Sequence, residues 1–444
     1  MCLTLNEGMI MATNSDTIDV HNFFFPGQEI LNPENFVGRK QNIAQAINAL
    51  CRPGTSILVF GERGVGKTSF VEMIKLIAMG QVELIYRYDL HRLAPQEAMN
   101  YNIISVECDE DVDSVEKVLQ RLVSSPKGIS GLIGPRVERI EATSKNAVGL
   151  SLFRKSLSIN DSEEEKLIKE NFKEMSIYET FTNLINFIES EVIRPDEGLL
   201  IVIDEFDRVQ DSSKLSSLIK TLSKNKVKFL VSGIANDYFQ LLSGHQSIVR
   251  QLFQGKIKID PMSDEEIEEL FVLYSSQSRG MVDFKKSLKD DIKKKSYGFP
   301  YYVQLFGQLA LDNYVSVYGN ERRGVIAKEH LSQGLKEFAQ HEPTLEKLYL
   351  SIIGNDPKRE LLLKALSIQL PLRITQADAF RYCEKRGVNI QHTMLAAFLA
   401  LRDPRVLERV NKEKVSFVDP VFKIYAGMRE PELIAKNDDG YIIQ

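Results

Sequence analysis

The stretch TSILVFGERGVGKTSFVEMIKLIAM, residues 55–79, decides the fold class of this chain. Ser56 to Phe60 form a short apolar run typical of a buried parallel strand, and Thr68 to Met79 carry apolar residues at helical spacing. Between them, Gly61 to Thr68 match the pattern GxxxxGK[ST] at every fixed position. Glycines let a backbone wrap closely around phosphate oxygens, and the first N–H groups of a helix point at negative charge. The stretch therefore predicts a phosphate-binding loop (P-loop).

The residues of this loop have separate predicted roles. Lys67 is expected to reach the β- and γ-phosphates of a nucleotide, and the Thr68 hydroxyl is expected to bind Mg²⁺. The cofactors predicted from the motif are therefore ATP and Mg²⁺. The other nucleotide-contacting positions predicted in the loop are Gly61, Glu62, Arg63, Gly64, Val65, Gly66 and Ser69.

A second apolar run, Leu199 to Ile203, ends in two acids. Such a run suits a central parallel strand, and open α/β sheets bind ligands at the carboxyl ends of their strands. Asp204 is therefore the second predicted Mg²⁺ ligand, acting directly or through water, and Glu205 is the residue predicted to polarise the attacking water. Asp207, three residues further on, is interpreted as a helix cap or a surface acid.

The order of the elements predicts an α/β fold, in which a parallel P-loop NTPase sheet is flanked by helices. NIISVEC (102–108) and VKFLVSG (227–233) are predicted to be further strands. Ser232, near the end of the latter, either contacts the γ-phosphate or the attacking water, or caps the turn that follows.

Two segments are similar to those of a known superfamily. FVGRKQNI (36–43) resembles the FxGRE-type box of the origin-recognition and STAND branches of AAA+ ATPases, and residues 232–267 resemble the segment that links sensor 1 to the lid in bacterial AAA family ATPases. The resemblance implies an AAA+ core. In the box, Val37 is expected to pack near the adenine, and Gly38 and Arg39 to close the turn into a helix. A hydrophobic staple at the helix start is an alternative compatible with this role.

The resemblance also assigns roles further along the chain. In AAA+ proteins the helix before the fifth core strand carries an arginine finger, and Arg250 matches that position ahead of a predicted strand at 256–260. In an oligomer Arg250 would stabilise charge on the γ-phosphate of the next subunit, whereas in a monomer it would make an intramolecular contact. Pro300, with Gly298, matches the GxP box of STAND-like lids and is expected at the nucleotide. The helix after it, from Tyr301 to Tyr314, lacks the sensor 2 arginine of most AAA+ lids.

The C-terminal part resembles the winged-helix domain appended to origin-type and STAND ATPases, because four helical segments precede a predicted β-hairpin and a final helix. The would-be recognition helix, Gln391 to Leu401, has only three polar side chains, which argues against sequence-specific reading of the major groove. Residues 351–430 nevertheless carry a net charge of +5 in a chain of net charge −5. The predicted domains are an N-terminal extension (1–35), an ATPase core (36–262) with an inserted β-hairpin near 126–160, a helical lid (263–344) and a winged-helix-like α+β domain (345–444).

Composition narrows the class of protein. A hydrophobic fraction of 43% and a charged fraction of 26% are those of a globular protein. Four cysteines without CxxC or Cys/His spacing predict neither a disulfide framework nor a zinc site. No signal-peptide pattern opens the sequence and no run of 18 apolar residues interrupts it, so we expect a cytoplasmic location and no membrane contact.

Two functions fit these observations. The first is Mg²⁺-dependent ATP binding and hydrolysis, coupled to homo-oligomerisation or domain rearrangement in a STAND-like signalling switch, as in bacterial defence, with a protein effector as partner. The alternative is a DNA-associated AAA+ ATPase, an initiator or transposition-type regulator, that binds duplex through the basic insert and the winged helix. The GxP box, the missing sensor 2 arginine and the apolar recognition helix favour the first.

Overall fold

The computed structural model describes residues 23–93, 99–134, 175–209, 213–223, 226–233, 254–320, 322–341, 343–354, 356–369, 374–401, 405–410 and 412–429. The chain divides into two compact units. The first unit holds Phe25–Leu273 together with Gly298–Tyr301. The described residues of the second unit are 23–24, 274–297 and, with the gaps given above, 302–429.

The first unit is built on a five-stranded parallel sheet, in which the strand order is β2-β3-β4-β1-β5. Three of the strands are buried along their whole length, which explains their uninterrupted apolar sequences. The order places the strand that precedes the P-loop between β4 and β5. The α/β fold class predicted from the sequence is thus confirmed. The strands are β1 (Ile57–Gly61), β2 (Tyr101–Glu107), β3 (Gly198–Asp204), β4 (Val227–Gly233) and β5 (Lys256–Ile259).

Helices pack against this sheet and share its core, where Phe181 and Leu215 lie in one buried cluster with Ile201 and Phe229 of the strands. The described helices of this unit are α1 (Lys40–Cys51), α2 (Lys67–Ala78), α3 (Glu83–Arg87), α4 (Val115–Ser124), α5 (Ile129–Ile133), α6 (Ile177–Phe187), α7 (Ser213–Leu222) and α8 (Asp264–Gln277, in this unit to Leu273), with short 3₁₀ turns at Pro33–Asn35 and Phe206–Arg208 and a π-helical turn at Ile188–Val192.

Local sequence explains where these helices begin. At the start of α6 the Ser176 hydroxyl accepts the N–H of Glu179, whose carboxylate accepts the N–H of Ser176. Ser263 and Glu266 make the same reciprocal pair at the start of α8. Each pair is a capping box, which supplies acceptors for N–H groups that the start of a helix leaves unpaired.

A buried lysine fastens the end of α1 to the sheet. Lys228 of β4 is 1% exposed, and its ammonium donates to the main-chain carbonyls of Ala49, Arg52 and Thr55. Burial lowers the pKa of Lys228 to about 8. The charge is accommodated because three carbonyl oxygens replace its hydration.

The inserted β-hairpin predicted near 126–160 is corrected where the structure describes it. Ile129–Ile133 form α5 instead of a strand. Ile129 and Ile133 are both fully buried while Gly131, midway between them, is exposed, so this stretch follows the helical period and not the alternation expected of a strand. Residues 135–160 lie outside the described part of the chain.

The second unit contains a parallel pair of short strands, several helices and an antiparallel hairpin. The four helices, the hairpin and the final helix predicted for its C-terminal part are present in that order, while its classification as a winged helix stays a prediction. The elements are β6 (Val282–Phe284), α9 (Lys286–Ser296), α10 (Pro300–Tyr318, in this unit from Tyr302), β7 (Gly324–Ile326), α11 (Lys328–His341), α12 (Pro343–Ile353), α13 (Pro357–Ser367), α14 (Gln376–Glu384), α15 (His392–Ala400), β8 (Leu407–Arg409), β9 (Val415–Phe417) and α16 (Pro420–Met428). Among the helices of the described residues, none has both the length and the apolar character needed to span a membrane.

Candidate functional site

The P-loop runs from the end of β1 into the first turn of α2. Gly64 (φ +80°) and Gly66 (φ +90°) take left-handed backbone conformations that cost glycine little. Gly61 packs tightly against β5, since a Cβ built there would lie 2.4 Å from the carbonyl oxygen of Ile259. The path of the loop therefore requires glycine at three positions, and it brings main-chain N–H groups to the start of α2, where an anion is favoured.

The Lys67 side chain lies against its own loop. Its Nζ donates to the carbonyl oxygens of Glu62 at 3.0 Å and Gly61 at 3.3 Å. Burial lowers the pKa of Lys67, whereas the negative charges of Asp207, Asp204 and Glu205 act in the opposite direction. The ammonium thus lies in the field of the acids at the end of β3 and just after it.

The two acids at the end of β3 have different surroundings. Asp204 is 7% exposed, and its Oδ1 accepts the N–H of Glu205 at 2.9 Å. Glu205 adopts a left-handed conformation (φ +52°), which is uncommon outside glycine. Its carboxylate forms an ion pair with Arg208 at 2.9 Å. The side chain predicted to polarise water is therefore held by a neighbouring cation.

Asp207 follows the two acids at the end of β3. It lies in the 3₁₀ turn after β3, and a Cβ built on Gly233 would be 3.7 Å from its Oδ1. Asp207 is also the largest single charge acting on Lys67. Its carboxylate faces the end of β4. The interpretation of Asp207 as a helix cap or surface acid stays a prediction.

Ser232 lies on β4, in register with Val59 of β1, and is completely buried. Within the described residues its hydroxyl has no hydrogen-bond partner. A buried unpaired hydroxyl is costly, so this oxygen is suited to a ligand or a water molecule. The alternative role as a cap involves residues from 234 onward, which are not described.

The box before α1 forms the predicted turn. Val37 is buried, and Gly38 (φ +74°) and Arg39 (φ +62°) turn the chain into α1. The Arg39 guanidinium donates to the main-chain carbonyls of Val65, at 3.1 Å, and Asp260. A contact of Arg39 with nucleotide stays a prediction.

Residues 29 and 30, which no motif marks, also reach the site. The N–H of Ile30 donates to the hydroxyl of Ser69 at 3.1 Å. Desolvation raises the pKa of Glu29, and the negative charges of Glu107, Glu72 and Asp204 raise it further. The segment ahead of the box therefore runs beside the first turn of α2 and the predicted Mg²⁺ ligand.

The GxP box lies on the P-loop. Pro300 Cγ is 3.7 Å from the position that a Cβ on Gly66 would take, and Phe299 Cδ1 is 3.9 Å from the corresponding position on Gly64. Gly298 (φ +78°) fixes the approach, because its carbonyl accepts the N–H of Met262 at 2.7 Å. Contact of Pro300 with nucleotide stays a prediction. Arg250 and its helix lie outside the described residues, so the arginine-finger role also stays a prediction.

The donor set suits Mg²⁺. Thr68 offers a hydroxyl at the second residue of α2, and Asp204 offers a carboxylate at the end of β3, and both are hard oxygen ligands. In the described part of the chain no three His, Cys, Asp or Glu side chains group into a metal site. A protein that binds Mg²⁺ through one carboxylate, a hydroxyl and phosphate oxygens needs no such cluster.

The family model of Novel STAND NTPase 1 matches residues 30–295, more than half of the chain. The chain belongs to this family. As a Novel STAND NTPase 1 member it is a P-loop NTPase, and nucleotide binding is its class of function. The match begins at Ile30, whose N–H binds Ser69, so the segment ahead of the box is part of the family's extent.

Several solved structures are similar to this chain at low identity. A Walker-type ATPase of Pyrococcus abyssi has a TM-score of 0.45 at 14% identity and covers 90% of this chain and 98% of its own. The ORC2 protein of Aeropyrum pernix has a TM-score of 0.44 at 11% identity, covering 91% and 94%. The ORC1 protein of Aeropyrum pernix, solved in complex with DNA, has a TM-score of 0.43 at 13% identity, covering 89% and 93%. None of the curated proteins compared with the chain matches it.

Proposed function

We propose that this NTPase binds and hydrolyses MgATP and that its nucleotide state drives homo-oligomerisation or domain rearrangement, as in a STAND-like signalling switch acting on a protein effector. One observation carries the proposal. The Lys67 ammonium, at the start of α2, lies in the field of Asp207, Asp204 and Glu205, at the carboxyl edge of the parallel sheet. Cation, main-chain amides and carboxylates meet where α/β sheets bind their ligands.

The chain's own residues supply binding and orientation. The N–H groups at the start of α2 bind phosphate oxygens, and Lys67 exchanges its two loop carbonyls for the β- and γ-phosphates. Thr68 and Asp204 would hold Mg²⁺, which neutralises charge on the phosphates when bound. The buried hydroxyl of Ser232 has no hydrogen-bond partner among the described residues. A triphosphate oxygen or the attacking water would supply that partner.

Two carboxylates near the end of β3 are candidates for orienting the attacking water. Glu205 forms an ion pair with Arg208, whereas Asp207 faces the end of β4, and its negative charge raises the pKa of Lys67. We therefore assign Asp207 a share of this role beside Glu205. A carboxylate within reach of the water is what the reaction needs, because it accepts the proton as the nucleophile forms.

The switch part of the proposal is supported by the family and by the chain path. Helices α8 and α10 each begin in the first unit and end in the second. A change at the P-loop that moves Pro300 or the first turn of α8 is therefore passed along continuous helices.

Binding of a fluorescent ATP analogue, with and without Mg²⁺, tests the proposal against Lys67→Ala. We expect tight binding by the wild type, weak binding by the variant, and slow release of phosphate that requires Mg²⁺. Light scattering should show larger particles after a non-hydrolysable ATP analogue is added. Equal binding by Lys67→Ala would contradict the ATPase assignment, and particles of constant size with unchanged proteolytic pattern would contradict the switch.

The alternative, a DNA-associated ATPase, is favoured by one feature of the second unit. Exposed cations lie on and beside the β8–β9 hairpin, at Arg405, Arg409 and Lys412. Helix α15, by contrast, offers few polar side chains for base contacts. Fluorescence anisotropy with a labelled duplex at low and moderate salt separates the two functions. Phosphate release stimulated by duplex would favour the alternative, and release indifferent to duplex would favour the signalling switch.

A further inference from the structure

Arg39 is a buried guanidinium at the turn between the box and α1, with 8% of its surface exposed. Its Nη2 donates to the carbonyl of Val65 in the P-loop, at 3.1 Å, and its Nη1 donates to the carbonyl of Asp260, directly after β5. A buried charge persists only where its donors find acceptors, and here two are main-chain oxygens from separate segments. The planar fork of arginine fixes the spacing of those two segments.

The same residue contacts the first turn of α8. Its main-chain N–H donates to Oε1 of Glu266 at 2.5 Å, and its Nη1 lies 3.8 Å from Oε2. Glu266 also completes the capping box with Ser263. The preceding residue must be glycine, because a Cβ on Gly38 (φ +74°) would lie 2.5 Å from the Glu266 carboxylate. Arg39 thus joins the P-loop, the end of β5 and the start of α8.

The bond to Val65 bears on phosphate binding. In a trans peptide the C=O of one residue and the N–H of the next point in opposite directions. The Val65 carbonyl turned toward Arg39 therefore directs the Gly66 N–H away from Arg39. Val65 lies between Gly64 and Gly66, which both have left-handed backbone conformations. Glycine has wide backbone freedom, so the residues on either side of Val65 allow several orientations of its peptide groups. A fixed Val65 carbonyl selects one of the orientations that these glycines allow.

We propose that Arg39 is a positioning residue, which orients the P-loop amides for phosphate and ties that orientation to helix α8 through Glu266. The inference rests on the proposed function. In this role the turn at residues 36–39 connects the nucleotide site to helix α8. Arg39 itself touches no nucleotide in this role.

The test compares Arg39→Lys with Arg52→Lys, an exposed arginine just after the other end of α1. Lysine keeps the charge of Arg39, but one ammonium cannot replace the fork. We expect Arg39→Lys to bind a fluorescent ATP analogue at least tenfold more weakly and to raise KM, with kcat at saturating ATP changed less than threefold. Amide hydrogen exchange in residues 61–70 should become faster in the same variant. Arg52→Lys should match the wild type in all of these measurements.

A double-mutant cycle with Glu266→Gln tests the link to α8. We expect the two substitutions to be non-additive in nucleotide affinity by at least threefold, whereas additive effects would overturn the link. Wild-type affinity and wild-type exchange in Arg39→Lys would overturn the positioning role. If circular dichroism shows that Arg39→Lys does not fold, Glu266→Gln alone decides: wild-type affinity and wild-type exchange at 61–70 would overturn the inference. A wild type that binds no nucleotide would defeat the proposed function, yet the exchange measurement would still report on the contact between Arg39 and the loop.

Discussion

Substitution of Gly298 by alanine should destabilise the first unit through two separable effects. The backbone there has φ +78°, and placing alanine in that region costs about 1 kcal/mol. A Cβ would also lie 2.2 Å from the carbonyl oxygen and 3.1 Å from the nitrogen of Met262, so one backbone segment must move. That movement breaks the bond from the Met262 N–H to the Gly298 carbonyl, at a cost of about 1–3 kcal/mol for a buried group. Together these effects amount to about 2–4 kcal/mol.

The matched control is Gly54→Ala. Gly54 has a similar backbone conformation (φ +67°) in the same unit, but a Cβ there has no atom within 4 Å. We expect Gly54→Ala to lose only about 1 kcal/mol in urea unfolding followed by circular dichroism. Gly298→Ala should in addition weaken binding of a fluorescent ATP analogue, because Phe299 and Pro300, which contact the P-loop glycines, shift with it. Equal losses of stability in the two variants, or unchanged affinity in Gly298→Ala, would refute the reasoning.

Three further predictions concern the site and its support. Lys67→Met should weaken binding of the ATP analogue about 10- to 100-fold, because one charge-assisted contact to phosphate is lost, while the unfolding midpoint stays near that of the wild type. Asp207→Asn should slow phosphate release about 100-fold or more with little change in affinity, and more than Glu205→Gln does; the opposite order would return the main role to Glu205. Lys228→Met should lower the free energy of unfolding at pH 7 by about 1–3 kcal/mol, because three main-chain carbonyls lose their donor. Burial lowers the pKa of Lys228 from 10.5 to about 8, so the unfolded state binds more protons between these values. Wild-type stability should therefore gain a rising contribution from pH 8 to 10.5 that Lys228→Met lacks, and identical pH profiles would contradict this.

The sheet and the P-loop were predictable because their signals are local. Strands buried on both faces need uninterrupted apolar runs, and the glycine pattern follows from the backbone path itself. The contacts that position the site are not local. Arg39 and Glu266 are 227 residues apart in the sequence, and Ile30 and Ser69 are 39 apart. A short sequence pattern therefore predicts neither contact. The place of Asp207 beside the end of β4 likewise depends on a neighbour distant in sequence, Gly233.

The insert shows the opposite error. A β-hairpin was predicted near residues 126–160, yet Gly131 lies inside α5, where a Cβ would collide with the carbonyl of Pro126. Close packing, and not a turn, requires glycine there. A glycine in a sequence indicates an unusual backbone or a tight approach, and only tertiary contacts distinguish them.

The return of Gly298–Tyr301 to the first unit limits how this protein can be shortened. A polypeptide that stops at Leu273 retains every strand of the sheet, the lysine and all three acids, yet it loses the two side chains that abut Gly64 and Gly66. We expect such a fragment to bind nucleotide weakly because the support of the P-loop is missing, although the lysine and the three acids of the site are all present. We therefore expect a fragment that binds ATP as the whole protein does to include Gly298–Tyr301.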